Sequence, residues 1–324
     1  MPTIHQLARM MLALMLVAPV PAGAQAYPGK PVRLIVPFAS GTSIDLLART
    51  ISEPLTKRLG QPVTVDNKPG ANGTLGADLV AKSLPDGYTL MLTSSTFTMT
   101  PALYKALPYD PVNGFSPIAR LGTGVLALVA HPSLEASTVG ELITLARKHP
   151  GKLRYASPGN GTPQHLAMEA FAQANGIVLT HVPRKGAIEA ANDVMDGQVP
   201  LMLMPLSTAV SLGIAGKVIV LGVSGDKRAA LAPIYPTFRE GGAPQNFDID
   251  VWYAVLAPAR TPPEVAGRLQ REIEAVLAQP DVRDALVKQG LTAEFGNPDQ
   301  IAARIKTDIE RWRNVAAAGK IAAD

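Results

Sequence analysis

The sequence predicts an α/β protein built as two lobes, in which mostly parallel sheets are covered by helices. Three observations predict it. Short apolar runs alternate with helical periodicities along most of the chain, the rhythm of βαβ units. Roughly 300 residues follow an expected leader, enough for two cores. One motif also has an echo. Pro28-Gly29-Lys30, a strand containing Arg33, then Ser40-Gly41-Thr42-Ser43 and a helix, corresponds to Pro150-Gly151-Lys152, a strand containing Arg154, then Ser157-Pro158-Gly159-Asn160-Gly161-Thr162 and a helix.

The elements follow in order. Residues 1–9 are short and polar, and residues 10–18 form an apolar run too short to cross a bilayer. Pro19 and Pro21 break that run, and Ala24-Gln25-Ala26 has the small-x-small pattern of a signal-peptidase site. Residues 1–26 are therefore expected to be a signal peptide cleaved after about Ala26, with export to the periplasm. Residues 32–36 read as a strand. Residues 44–59 read as a helix that Pro54 kinks or interrupts. A strand is expected over 63–66, a Gly- and Asn-rich loop over 67–76, a helix over 74–82 and a third strand over 88–92. Pro101, Pro108, Pro111 and Pro117 predict a long irregular connection over 101–118. Strands at 125–130 and 153–156 flank a helix at 139–148. Helices at 164–175 and 187–196, with strands near Val178, Leu201 and Val218, continue the rhythm. Three helices, 262–278, 280–289 and 298–317, fill the C-terminal third. Each opens near a proline, where a missing N–H costs little.

Composition removes several function classes. The net charge of +4 is spread without a basic block, which argues against a nucleic-acid partner. Aromatics at 5% leave too few rings for a base- or sugar-stacking platform. With no cysteine, a disulfide, a thiolate metal site, a thiol nucleophile and the usual lipid anchor after the leader are all excluded.

The two strand–loop–helix corners are the candidate binding features. First-turn N–H groups have no intrahelical partner, and the helix dipole adds partial positive charge there. Ser40, Thr42, Ser43, Ser157 and Thr162 add hydroxyls. Such a corner holds a carboxylate or phosphate without an arginine, although the same hydroxyls also read as ordinary N-caps. His165 and Glu169 stand four apart on a helix but lack a third ligand, so no metal is expected. Gly70, Gly73 and Gly76 have neither dinucleotide nor P-loop spacing, and no cofactor is expected. Gly222-Val223-Ser224-Gly225 falls short of a nucleophile elbow, so no catalytic residue is assigned.

Six segments, at 27–38, 59–90, 103–111, 155–166, 181–186 and 256–265, resemble the Bug/TctC solute receptors of tripartite tricarboxylate transporters. They include YPGKPVRLIVPF, YASPGNGTPQHL and HVPRKG, and the resemblance covers essentially the whole mature chain. It implies a type II periplasmic-binding-protein architecture with a ligand cleft between two α/β lobes, and no enzymatic activity. It also implies a small carboxylate ligand and a membrane permease of one large and one small subunit. By match it puts Phe38, Ala39, Ser40, Thr42, Ser43 and Asp45 at the site, facing Ser157, Gly159, Asn160, Gly161, Thr162 and His165. Ser95, after the third strand, joins them.

Three departures bear on the ligand. Gly41-Thr42-Ser43-Ile44 precedes Asp45 where the family usually has Gly-Gly-Gly-Thr. Arg184 replaces the tyrosine of His-Val-Pro-Tyr-Lys-Gly, and Leu203-Met204-Pro205 replaces Phe-Asp-Asn. Arg184 and Met204 are accordingly candidate ligand-binding residues, and the expected ligand has no positive charge. The expected lobes are 27–124 with 250–324, and 125–249, with crossovers near 121–127 and 251–257. A monomer is the default. A periplasmic ligand sensor and a secreted hydrolase are the alternative readings.

Overall fold

The computed structural model describes residues 27–243 and 249–322, so the expected leader lies outside the described residues. β1 (Val32–Val36) exposes only Arg33, as a strand covered on both faces does. It pairs in parallel with β2 (Val63–Asn67) on one side and β3 (Thr89–Ser94) on the other. β3 then runs antiparallel to β9 (Asp250–Pro258). β9 in turn lies antiparallel to β4 (Phe115–Ala130), from Phe115↔Pro258 to Val125↔Asp250.

β4 changes partners after Val125. Its last residues, Leu126 to Ala130, lie against β7 (Leu201–Pro205), and β8 (Ile219–Val223) joins their other side. β5 (Arg154–Ser157) pairs in parallel with β7 and with β6 (Thr180–Pro183). β10 (Leu291–Gly296) adds antiparallel to the first part of β4. The result is one curled ten-stranded sheet whose two halves share β4.

Apolar stripes seat the helices. α1 (Ser43–Leu59) buries Ile44, Leu47, Ile51, Leu55 and Leu59 against one face of the first half-sheet, beside α8 (Pro263–Leu277) and α9 (Pro280–Lys288). α2 (Thr74–Ala81) and α3 (Thr96–Leu103) cover its other face. In the second half, α4 (Val139–Lys148) and α5 (Pro163–Asn175) share one core. The opposite face packs α6 (Ala187–Met195) and α7 (Leu206–Ile214). α10 (Pro298–Gly319) serves both halves. Ile301, Ile305 and Ile309 enter the first, while Trp312, Val315 and Ala316 join Leu166 and Phe171 in the second.

Several expectations need correction. The sheet is mixed, because β4 and β9 run antiparallel to all of their partners. Pro54 does not interrupt α1; one missing N–H is outweighed by an apolar stripe that continues from Ile51 to Leu59. The stretch 101–118 is irregular only between α3 and β4. Pro101 sits inside α3, whose Phe97, Met99 and Leu103 are buried, and Pro117 sits in β4 beside a register shift, where a strand tolerates a missing donor. The loop expected over 67–76 contains a short 3-10 turn, Ala71–Gly73, and the first turn of α2. The C-terminal third is not wholly helical, since it carries β10. That strand fits closely over Gly122, where a Cβ would come within 2.3 Å of the Thr292 carbonyl oxygen.

Candidate functional site

Both candidate loops follow the C-terminal ends of parallel strands, β1 and β5, where open α/β sheets place their ligands. In the first loop, Ala39, Ser40, Gly41 and Thr42 are exposed, and Phe38 and Ser43 are half-buried. Gly41 has φ +83°, a conformation side chains rarely adopt, so the turn needs glycine there. The Thr42 hydroxyl donates to the Ala39 carbonyl at 2.8 Å and makes no cap to α1.

Asp45 organises this loop and does not face out of it. It is 1% exposed. Its Oδ2 accepts from the Gly41 N–H at 2.9 Å, Arg49 Nε at 3.0 Å and the Ser40 hydroxyl at 3.3 Å. Its Oδ1 accepts from Asn67 Nδ2 at 3.0 Å, and the same amide nitrogen donates to the Phe38 carbonyl. Burial alone would raise the carboxyl pKa, but the hydrogen bonds from Arg49, Gly41 and Asn67 outweigh it and hold the group at about 2. Asp45 is thus a permanent anion consumed by its own loop.

The second loop leaves β5 at Ser157, whose side chain is fully buried. The Ser157 hydroxyl oxygen lies 3.0 Å from the Gly159 carbonyl, 3.2 Å from the Gly159 N–H and 2.6 Å from His181 Nε2. Thr162, before α5, donates to the Gly159 carbonyl at 2.8 Å. The Gly161 N–H donates to Nδ1 of His165 at 3.1 Å. Asn160 and Thr162 are half-buried, whereas His165 is buried behind the loop. Tyr155 donates to Glu169 at 2.5 Å, and burial beside that carboxylate pushes its hydroxyl well above the usual phenol range.

α3 joins the two loops. Thr100 on α3 reaches the Asn72 carbonyl at 3.4 Å, and Gly73 packs under Phe38 and Pro37. At the other end of α3, Leu103 closes over Gly161, within 3.1 Å of where a Cβ would stand. Ser95, before α3, is 1% exposed and its hydroxyl has no hydrogen-bond partner among the described residues. A gap of about 40 Å³ lies between the sheet halves, lined by Ser43 from one and by Leu126, Pro205 and Leu206 from the other.

Two candidates are engaged within the fold. Met204 is 1% exposed and packs with Ala127, Ala156 and Leu206, because β7 is covered on both faces and its alternation puts Met202 and Met204 in one core, Leu201 and Leu203 in the other. Arg184 does not present an unpaired cation, since its Nε donates to Asp193 on α6. The residues that the sequence did not single out are Arg49, Asn67 and Tyr155, which together with Glu169 hold the loops from behind. One available signal was the hydroxyl-rich run Thr93-Ser94-Ser95-Thr96-Phe97-Thr98-Met99-Thr100, whose six polar residues are all buried. Among the described residues no His, Asp and Glu side chains gather as a metal site, and no helix is long and apolar enough to cross a membrane.

Residues 47–320 match the family described as the tripartite tricarboxylate transporter family receptor. The chain is 34% identical to protein BugT of Bordetella pertussis over 297 residues, 91% of each chain. Among solved structures, a Rhodopseudomonas palustris protein with adipate superposes with a TM-score of 0.79 at 32% identity, covering 91% of this chain and 99% of the other. The same organism's MatC with bound malate gives a TM-score of 0.74 at 31% identity, with 89% and 99% covered.

Proposed function

The chain belongs to the tripartite tricarboxylate transporter receptor family, and on that premise we propose that it captures a small carboxylate in the periplasm and delivers it to a membrane permease. The lobes are assigned as residues 27–124 with 250–324, and 125–249, which agrees with the change of partners along β4 after Val125. The ligand lies between the first loop and the second, its carboxylates facing the N-terminal turns of α1 and α5. No catalytic group or cofactor takes part.

The observation that carries this reading is the Ser95 hydroxyl. A buried hydroxyl without a partner costs stability, and the fold keeps it where β3 passes into α3. A ligand oxygen accepting its proton gives that cost a function. Adipate and malate, bound by the two relatives, define the ligand class. The ligand has no ammonium group, because the acid usual in the family is here the core residue Met204, and Asp45 is already engaged.

The test is a thermal-shift screen of the mature chain, unfolded and refolded to strip bound ligand. A dicarboxylate at a hundred times its dissociation constant stabilises the fold by about 2.7 kcal/mol, and amino acids give a smaller shift. Ser95→Ala is expected to raise the melting temperature of the ligand-free chain slightly, because it removes an unpartnered buried hydroxyl, and to weaken the dicarboxylate about fivefold. No shift from any carboxylate would end the assignment. A shift that survives Ser95→Ala undiminished would place the ligand elsewhere.

A further inference from the structure

Behind the second loop, the rings of His165 on α5 and His181 on β6 lie with centroids 3.6 Å apart and planes 19° from parallel. Tyr155 lies beside the pair, its ring centroid 5.0 Å from that of His181 and 6.2 Å from that of His165. Each histidine meets a different part of the loop through a different nitrogen. The Gly161 N–H points at Nδ1 of His165, so that nitrogen must carry a lone pair and the ring is neutral with its proton on Nε2. The Ser157 hydroxyl contacts the Gly159 carbonyl and N–H within its own loop and makes its shortest hydrogen bond, 2.6 Å, with His181 Nε2.

We propose that His165 and His181 are positioning residues of the ligand loop: Nδ1 of His165 holds Gly161, and Nε2 of His181 holds Ser157, with each ring stacked to keep the other's nitrogen in place. The arrangement requires a neutral His165. A second proton on its Nδ1 would set two N–H donors face to face and put a positive charge 3.6 Å from the His181 ring. The charged groups on the neighbouring elements are engaged with other partners. Glu169 on α5 is engaged by the Tyr155 hydroxyl, Arg184 is paired with Asp193 on α6, and Glu189 on α6 accepts from the Lys185 N–H. The loop is therefore held at neutral pH and loosened in acid. Its importance for ligand capture rests on the proposed function, but its shape does not.

Asparagine places an amide oxygen where His Nδ1 stands, and glutamine places an amide nitrogen where His Nε2 stands. His165→Asn and His181→Gln should therefore keep the loop bonds, whereas His165→Gln and His181→Asn should lose them. The readout is hydrogen-exchange protection of the Gly159 and Gly161 amides by NMR, in the mature chain without ligand. The two losing variants are expected to exchange about fivefold faster than the native chain. Acidification from about pH 8 to about pH 4.5 is expected to erode protection in the native chain and not in His165→Asn. A merely space-filling role would make asparagine and glutamine equivalent at each position, and that result overturns the proposal. Nitrogen NMR of the native side chains needs no variant: a protonated Nδ1 on His165 at neutral pH overturns it as well. Adipate binding, scored in the same samples, tests the carboxylate reading separately, because loop protection is read without it.

Discussion

Trp312→Ala is expected to lower stability by about 4 kcal/mol, near the upper range for emptying a large core site. Melting should fall by roughly 10 °C. The reason lies in where the side chain sits. Trp312 is 2% exposed and belongs to the same cluster as Met99 and Leu103 of α3 and Leu166 and Phe171 of α5. Its removal therefore leaves a void that elements of both halves line. Val315 beside it is tied to α5 through its carbonyl, which accepts from Gln173 at 3.2 Å. The indole Nε1 has no hydrogen-bond partner among the described residues. Trp312→Phe should accordingly cost less than about 1.5 kcal/mol, since it keeps most of the ring and removes an unsatisfied donor. Denaturant midpoints of the two variants check this. Equal losses would mean that the site responds to the indole nitrogen and not to volume.

Acid gives the second large effect. Asp45 has a folded-state pKa of about 2 against an ordinary value of 3.8, so its contribution is complete above about pH 4 and is lost as pH falls from there toward 2. The contribution is no more than about 2 kcal/mol, because Arg49 is half exposed and screened by water. Asp45→Asn should reproduce that loss at neutral pH and remove the corresponding step from the acid limb of the stability curve. Asp66, Asp110 and Glu141 also have lowered pKa values, so the native chain keeps a residual acid response in the variant. The difference between the two curves isolates Asp45. If they run parallel down to pH 2, the carboxylate is not held as its hydrogen bonds require.

Ligand binding should follow the same substitution. Without the Asp45 carboxylate, the Gly41 N–H and the Ser40 hydroxyl lose their common acceptor, and the first loop loses its shape.

What the sequence discloses divides along physical lines. β1, α4 and the cores of α1, α5 and α8 were legible because local periodicity and burial agree in them. β9 and β10 were not. Their place depends on pairing with β4, and β4 itself was visible only in its last residues because Pro117 disguises its start. The two loops could be found from their glycines and hydroxyls. Their wiring could not: nothing local says that Asn67 reaches back to Asp45 and Phe38, or that His181 meets Ser157. Met204 shows the converse limit. A resemblance located the position, but only strand alternation decides which face it occupies.

The route of the chain also sets the order in which it can fold. Ser94 must find Tyr253, and Phe115 must find Pro258, before β3 and β4 have a strand between them. Until residues 250–258 arrive, the first half-sheet is two separate pieces with exposed edges, although all its other N-terminal strands have already been made. Such distant pairings raise contact order and slow folding. A nascent chain that stops before β9 therefore lacks the central strand of its own N-terminal half. Its N-terminal half cannot complete its sheet until the last quarter of the chain appears.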